Sequence, residues 1–108
     1  MKKIEGGVTA PSGFLAADAA AGIKYANRTD MALVYSAYPA VCAGTFTTNV
    51  VKAAPVKRDM KIVAGGGTVQ AVVINSGIAN ACTGKDGDED DMAMAKAVAE
   101  GLGITLDE

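Results

Sequence analysis

Apolar residues occur in short runs that are separated by polar and glycine-containing breaks. The run from Met31 to Ala37 and the segment from Thr68 to Ser76 predict two buried strands. The second is apolar on both faces near its end, which is typical of a central strand. Pro39 is expected to end the first strand.

Other segments are less regular. Phe14–Tyr25 is rich in alanine, which favours a helix, but its small residues also suit a strand that lies close to a neighbour. We favour the strand, in part because of the family resemblance described below. Cys42–Val51 carries many β-branched residues and predicts a further strand. A short strand around Val56 and a short helix near Asp59 are expected before the glycines at 65–67.

The last pattern predicts an amphipathic helix from Asp88 to about Gly101. Acidic residues fill positions 88–91, where they oppose the positive end of the helix dipole, and Asp88 with Asp91 approximates a capping box. Gly101 and Gly103 mark the end of the helix. Its apolar stripe is expected in the core and comprises Met92, Ala95, Ala99 and Leu102, with Met94 and Val98 beside them.

The segment between the Thr68–Ser76 strand and this helix has the composition of a binding loop. Asn80 and Thr83 offer donors and acceptors, and Gly77 and Gly84 permit positive φ and a close approach of backbone to a ligand. We therefore take Asn80 and Thr83 as candidate pocket residues. The alternative is structural, because the same residue types satisfy backbone groups in any sharp turn.

The totals set limits on the class of protein. A chain of 108 residues is enough for one domain, and we expect no internal boundary. Half of the residues are apolar but only 5% are aromatic, so the core is expected to consist of many small contacts, and a partner could complete it. A net charge of −2 and scattered basic residues argue against nucleic acid as a partner. No membrane span or secretory signal is recognisable, so we expect a cytoplasmic protein.

The inventory of reactive side chains is short. The chain has no histidine, which excludes a Ser-His-Asp or Cys-His mechanism within it. Cys42 and Cys82 are not in a CxxC pair, and we expect both to be small, reduced core residues. No metal site is predicted, and the acidic run at 86–91 is interpreted as a helix start and not as a calcium loop.

Three groups of residues carry a family resemblance. They are GGVTAPSGF with AAAGIK (6–14 and 19–24), AGTFTTNVVKAAPV (43–56), and AVVINSGIANACTGKDG followed by MAKAVAEGLGI (71–87 and 94–104). In this order the chain resembles the N-terminal part of the ornithine acetyltransferases of arginine biosynthesis, which are also called glutamate N-acetyltransferases. It departs from the family pattern at Val50, where arginine is common, and at Ile78, where asparagine is common.

The resemblance implies an α/β fold of stacked β-sheets flanked by helices, a four-layer α/β/β/α sandwich in the complete enzyme. It implies a precursor that cleaves itself before a threonine, which then accepts acetyl from N-acetylornithine and passes it to glutamate. Some members also accept acetyl-CoA. No metal or organic cofactor is implied. The implied partners are the remaining α-chain segment and the β-chain of the same precursor, in a hetero-oligomer.

The resemblance places no catalytic residue in this chain. The family nucleophile lies in a Met-Ala-Thr-Met-Leu context and the oxyanion donors in a Ser-Thr-Gly-Val-Ile-Gly stretch, and neither motif occurs here. We interpret residues 1–108 as the N-terminal part of an acetyltransferase α-chain that is inactive alone. The alternative is a non-catalytic structural or binding module. The threonines outside the nucleophile context are Thr9, Thr45, Thr47, Thr48 and Thr83.

Overall fold

The computed structural model describes residues 1–106 and shows a small α/β arrangement of three strands and two helices. This confirms the α/β class, and it confirms that the segment beginning at Phe14 forms a strand. The elements in chain order are β1 (Phe14–Ala19), β2 (Met31–Val41), α1 (Ala54–Ala64), β3 (Thr68–Asn75) and α2 (Gly84–Leu102).

The sheet is antiparallel, with the strands in the order β1-β2-β3. β1 pairs with β2 in a register that runs from Phe14 opposite Ser36 to Ala19 opposite Met31. At one end of β3 the Gln70 side chain donates to the Ser36 carbonyl (3.0 Å). Within residues 1–106, β3 is therefore an edge strand, and the prediction that it is central was wrong for this part of the chain.

β2 continues through Pro39 to Val41, so the prediction that Pro39 ends the strand was also wrong. The pairing with β1 stops at Ser36. Pro39 lies beyond that point, and its missing N–H therefore removes no hydrogen bond to β1.

Residues Cys42–Val51 form no strand, contrary to the β-branched pattern. Short side chains hydrogen-bond to nearby backbone groups in this segment. The Asn49 N–H donates to Thr47 Oγ1 (3.1 Å), and the Val51 N–H donates to Asn49 Oδ1 (3.0 Å). Local bonds of this kind compete with a strand ladder for the same backbone donors.

Both helices are longer than the sequence pattern predicts. α1 covers the position of the short strand expected at Val56, and a proline in its first turn supplies a favourable fixed φ. α2 begins at Gly84, one turn before Asp88, and its N-cap residue is Thr83, so the capping box predicted at Asp88 is wrong. The end of α2 is confirmed by Gly103, which has a φ of 69°.

The described chain divides into two compact units whose segments interleave along the sequence. The strand unit comprises Met1–Pro39 and Gln70–Ile78. The helix unit comprises Ala40–Val69 and the chain from Ala79 onward. No single cut in the sequence would separate the two units. That the chain carries no internal boundary stays a prediction.

The core of the helix unit lies between α1 and α2. Ala95 and Ala99 are buried, as predicted, but Met92 is 38% exposed and was wrongly assigned to the core. Asp91 occupies the buried position instead, with its side chain 7% exposed and an oxygen 4.0 Å from Arg58 Nε. The buried stripe of α2 is therefore small and carries one acid.

The strand unit keeps large apolar side chains in contact with solvent. Leu15 is 61% exposed, Val72 52% and Ile74 50%. Val72 and Ile74 are two residues apart on β3, so their side chains share one face of the sheet. That a partner completes the core stays a prediction. Among residues 1–106, no helix is long and apolar enough to cross a membrane.

Asp91 has an unusual titration. Burial raises the pKa of its carboxyl above the ordinary 3.8, the charge of Arg58 lowers it, and Asp59 and Asp88 raise it further. Because the pKa is raised in the folded state, protonation of the Asp91 carboxyl stabilises the fold, and this contribution is fully present below pH 3.8. That stabilisation is lost as the pH rises through the folded pKa.

We expect Asp91→Asn to lack this loss, because an amide stays neutral at every pH. The melting temperature of the variant minus that of the parent should therefore be larger at pH 7 than at pH 3. Asp90→Asn is the control, since it removes the same charge from an exposed position of α2. Equal shifts for the two variants would show that burial of Asp91 is not the cause.

Candidate functional site

The loop that joins β3 to α2 has a strongly constrained backbone. Gly77 has a φ of 101°, Cys82 of 60° and Gly84 of 62°. Positive φ costs a non-glycine residue roughly 1–2 kcal/mol, so Cys82 is held in place by its surroundings. This constrained path delivers the chain into the first turn of α2.

Asn80 is the junction between this loop and both helices. Its Nδ2 donates to the Gly87 carbonyl (2.7 Å), and its own carbonyl accepts from the Ala54 N–H (3.3 Å) at the start of α1. The Thr83 hydroxyl donates to Asn80 Oδ1. One asparagine therefore connects the first turn of α2 with the first residue of α1.

Gly87 makes this junction possible. A Cβ atom at this position would overlap Thr83 Oγ1 and Asn80 Oδ1, and it would lie 2.6 Å from Thr83 Cβ. Any side chain here would push the two polar groups apart. The first turn of α2 requires glycine because the backbone touches the side chains of the preceding loop.

The helix unit contains a cleft of about 200 Å³ beside this junction, which we call the helix cleft. Thr83 lies in its wall, and its role in a substrate pocket stays a prediction. Asn80 does not line the cleft but accepts a hydrogen bond from the Thr83 hydroxyl in its wall. Lys57 Nζ lies 3.8 Å from Asp88 Oδ1, so the two charges offset each other. The lining residues are Val50, Val51, Lys52, Ala54, Lys57, Cys82, Thr83, Gly84 and Asp88.

The strand unit has its own cleft, of about 100 Å³, which we call the hairpin cleft. Asp30 is its anchor. The buried carboxylate accepts from the Ala21 N–H and the Ile23 N–H, both at 2.7 Å. The Asp30 carbonyl also accepts from the Ser76 N–H (2.9 Å), which joins the start of β2 to the end of β3.

These contacts fix the charge of Asp30. The hydrogen bond from the Ile23 N–H lowers the pKa of its carboxyl below 3.8; desolvation opposes this effect, and the Ala21 N–H adds to it. Asp30 is therefore ionised at neutral pH, with its charge directed at backbone donors. A short polar residue directly before a strand was the only signal of this role in the sequence.

Two cations flank an aromatic ring in the hairpin cleft. Lys24 Nζ lies 5.3 Å and Arg28 Cζ 5.8 Å from the centre of the Tyr25 ring. Both distances are within the range of cation–π attraction. The wall of the hairpin cleft comprises Lys24, Tyr25, Arg28, Asp30, Ser76 and Gly77.

Both cysteines are free thiols. Cys82 is exposed, so its assignment to the core was wrong. Thr47 Oγ1 accepts a local backbone bond, and the other threonines outside the helix cleft are also exposed. Within residues 1–106, no group of His, Cys, Asp or Glu could hold a metal ion.

Comparison with known sequences gives a consistent result. The profile of the ArgJ family matches residues 15–108. The arginine biosynthesis bifunctional protein ArgJ of Gloeobacter violaceus is 47% identical over 97% of this chain and 26% of its own length. The protein of the same name from Caldanaerobacter subterraneus is 52% identical over 96% of this chain and 25% of its own length. The chain thus spans about a quarter of the length of the curated relatives it matches.

Two solved structures share the fold. The ArgJ protein of Bacillus halodurans superposes with a TM-score of 0.88 at 40% identity, over 94% of this chain and 53% of that chain. An ornithine acetyltransferase from Mycobacterium tuberculosis, solved with ornithine, gives a TM-score of 0.84 at 51% identity, over 90% of this chain and 50% of that chain.

We expect Gly87→Ala to destabilise the fold by roughly 1–3 kcal/mol, the usual cost of overpacking. The new methyl group would force Thr83 and Asn80 apart and break the bond to the Gly87 carbonyl. Chemical denaturation of the variant and the parent measures the difference.

Gly101→Ala is the matched control, since a Cβ there meets open space on the same helix. It should stabilise the fold by about 0.5–1 kcal/mol through helix propensity. A Gly87→Ala variant as stable as the parent would contradict the packing of this junction.

Proposed function

The chain belongs to the ArgJ family, and we propose that it is part of an acetyltransferase that moves acetyl from N-acetylornithine to glutamate. The observation that carries the proposal is the match of the family profile over residues 15–108, together with the shared fold of a solved ornithine acetyltransferase. The relatives are named as bifunctional proteins of arginine biosynthesis.

The proposed reaction has two acyl transfers. A threonine hydroxyl attacks the acetyl carbonyl of N-acetylornithine, so that a C–O ester bond forms, the amide C–N bond breaks, and ornithine leaves with the proton. The glutamate amine then attacks the ester, which forms N-acetylglutamate and frees the hydroxyl. The free threonine amine is the proposed base that activates the hydroxyl.

We assign the nucleophile and the oxyanion donors to polypeptide outside residues 1–108, because the family motifs that carry them do not occur in this sequence. The role of this chain is then to build and hold part of the pocket. The Asn80 junction supports this role, since it fixes a polar loop residue against the first turns of both helices.

The exposed sheet supports a partner. Leu15, Val72 and Ile74 present apolar area that a second layer of the proposed four-layer sandwich would cover. We propose that the remaining α-chain segment and the β-chain of the same precursor supply this layer in a hetero-oligomer. The self-cleavage before threonine, the use of acetyl-CoA as a further donor, the absence of a cofactor and a cytoplasmic location belong to the same proposal.

The complete gene product should convert N-acetylornithine and glutamate into ornithine and N-acetylglutamate, and residues 1–108 alone should not. The reason is that the proposed nucleophile lies outside them. Ornithine release, followed by mass spectrometry of both products, measures the reaction.

Turnover by the purified 108-residue chain would overturn the assignment of the chemistry to other segments. Absence of turnover in the complete gene product, with both substrates present and the protein folded, would overturn the proposed function. That second outcome would favour a non-catalytic structural module.

Asn80→Ala in the complete gene product should lower the rate per folded molecule by about tenfold or more, because small displacements of pocket walls are costly. Thr83→Ala should do the same if its hydroxyl faces substrate. Loss of the part-buried bonds alone would cost roughly 1–3 kcal/mol of stability. Steady-state rate, divided by the folded fraction, separates the two effects.

Thr83→Ser is the conservative control, since it keeps the hydroxyl that donates to Asn80. It should retain most of the rate. Wild-type rates per folded molecule for both alanine variants, alongside lower melting temperatures, would leave these residues with a structural role only.

A further inference from the structure

We infer that the hairpin cleft is a binding site for the carboxylate or phosphate group of a small molecule, with Lys24 and Arg28 as the recognising cations. The inference does not depend on the proposed acetyl transfer. It rests on the arrangement of charge in the strand unit, on the state of Asp30 and on the shape of the cleft.

The acid of the cleft is already satisfied. Asp30 accepts hydrogen bonds from two backbone N–H groups at 2.7 Å, so the loop that it closes stabilises its negative charge. Within residues 1–106, no carboxylate lies within 4 Å of Lys24 or Arg28, and the four ion pairs present there involve other residues. The two cations therefore lack an anionic partner in the part of the chain that is described.

The cations are held beside the cleft by the Tyr25 ring. Nζ of Lys24 and Cζ of Arg28 lie within 6 Å of its centre, at 5.3 and 5.8 Å. The ring reduces the freedom of two long side chains, and less ordering entropy remains to be lost when an anion binds. The arginine fork can then meet two oxygens of one carboxylate or phosphate group.

Two residues at the end of β3 also line the hairpin cleft. Ser76 adds a hydroxyl group, and Gly77 follows it. A Cβ at Gly77 would lie 3.1 Å from the Lys24 Cβ, so a larger residue would displace the lysine. A volume of about 100 Å³ is sufficient for a single small acidic group.

The test is calorimetric titration of the complete gene product with inorganic phosphate and, separately, with glutarate, at constant ionic strength. Saturable binding of at least one of them is expected. Phosphate alone would identify a phosphate-bearing ligand, and glutarate alone a carboxylate-bearing one. Arg28→Gln should weaken the binding at least tenfold, and Arg28→Lys should weaken it less, since it keeps the charge and loses the fork.

Lys96→Ala is the matched control, since it removes one exposed positive charge from α2, outside the strand unit. It should leave the affinity unchanged. Lys24 and Arg28 are exposed, so their variants should keep the parent melting temperature. No saturable binding of either anion, or equal losses in Arg28→Gln and Lys96→Ala, would overturn the site. The acetyl-transfer assay is independent of this result, so the failure of one proposal is distinguishable from the failure of the other.

Discussion

The helix unit depends on one constraint, which is that the first turn of α2 must touch the side chain of Asn80. The Asn80 amide reaches the Gly87 carbonyl, and its own carbonyl takes the first N–H of α1. Neither helix has a side-chain cap at its start. The junction therefore satisfies one N–H that the start of α1 leaves without an intrahelical partner, and its second bond ties the same loop residue to a carbonyl in the first turn of α2. Glycine at 87 follows from this contact.

The strand unit uses the same device with a charged residue. The hairpin between β1 and β2 is long, and the Asp30 carboxylate closes it through the Ala21 and Ile23 N–H groups. The Asp30 carbonyl then takes the Ser76 N–H from the end of β3. A single short acid thus joins a loop and two strands in a unit with little apolar burial. In both units, polar contacts to the backbone hold the loops in place, because a core of alanine and valine supplies few large apolar contacts.

Sequence reasoning succeeded where the pattern is local. The continuous run of β3 and the glycine that ends α2 are properties of a few adjacent residues, and both were predicted. It failed where side chains bind backbone groups that the pattern assigns to a strand, and where residues distant in the sequence determine burial. The β-branched residues before Val51 favour a strand, but Thr47 and Asn49 bind their own backbone. The burial of Asp91 in place of Met92 depends on Arg58 of the other helix, which no helical periodicity reveals.

The candidate site shows the same division. The sequence identified Asn80 and Thr83 as polar residues in a strand-to-helix loop, but their contact with Gly87 requires the fold. It gave no indication of the hairpin cleft, because Tyr25 ends one predicted strand and Arg28 and Asp30 lie in the short polar segment before the next. The two clefts differ in how their charges are balanced. In the helix cleft, Lys57 faces Asp88, while the Lys52 ammonium donates to the Asn49 carbonyl. In the hairpin cleft the acid is balanced by backbone donors, and both cations lie beside the Tyr25 ring, so two cations remain available to one anion.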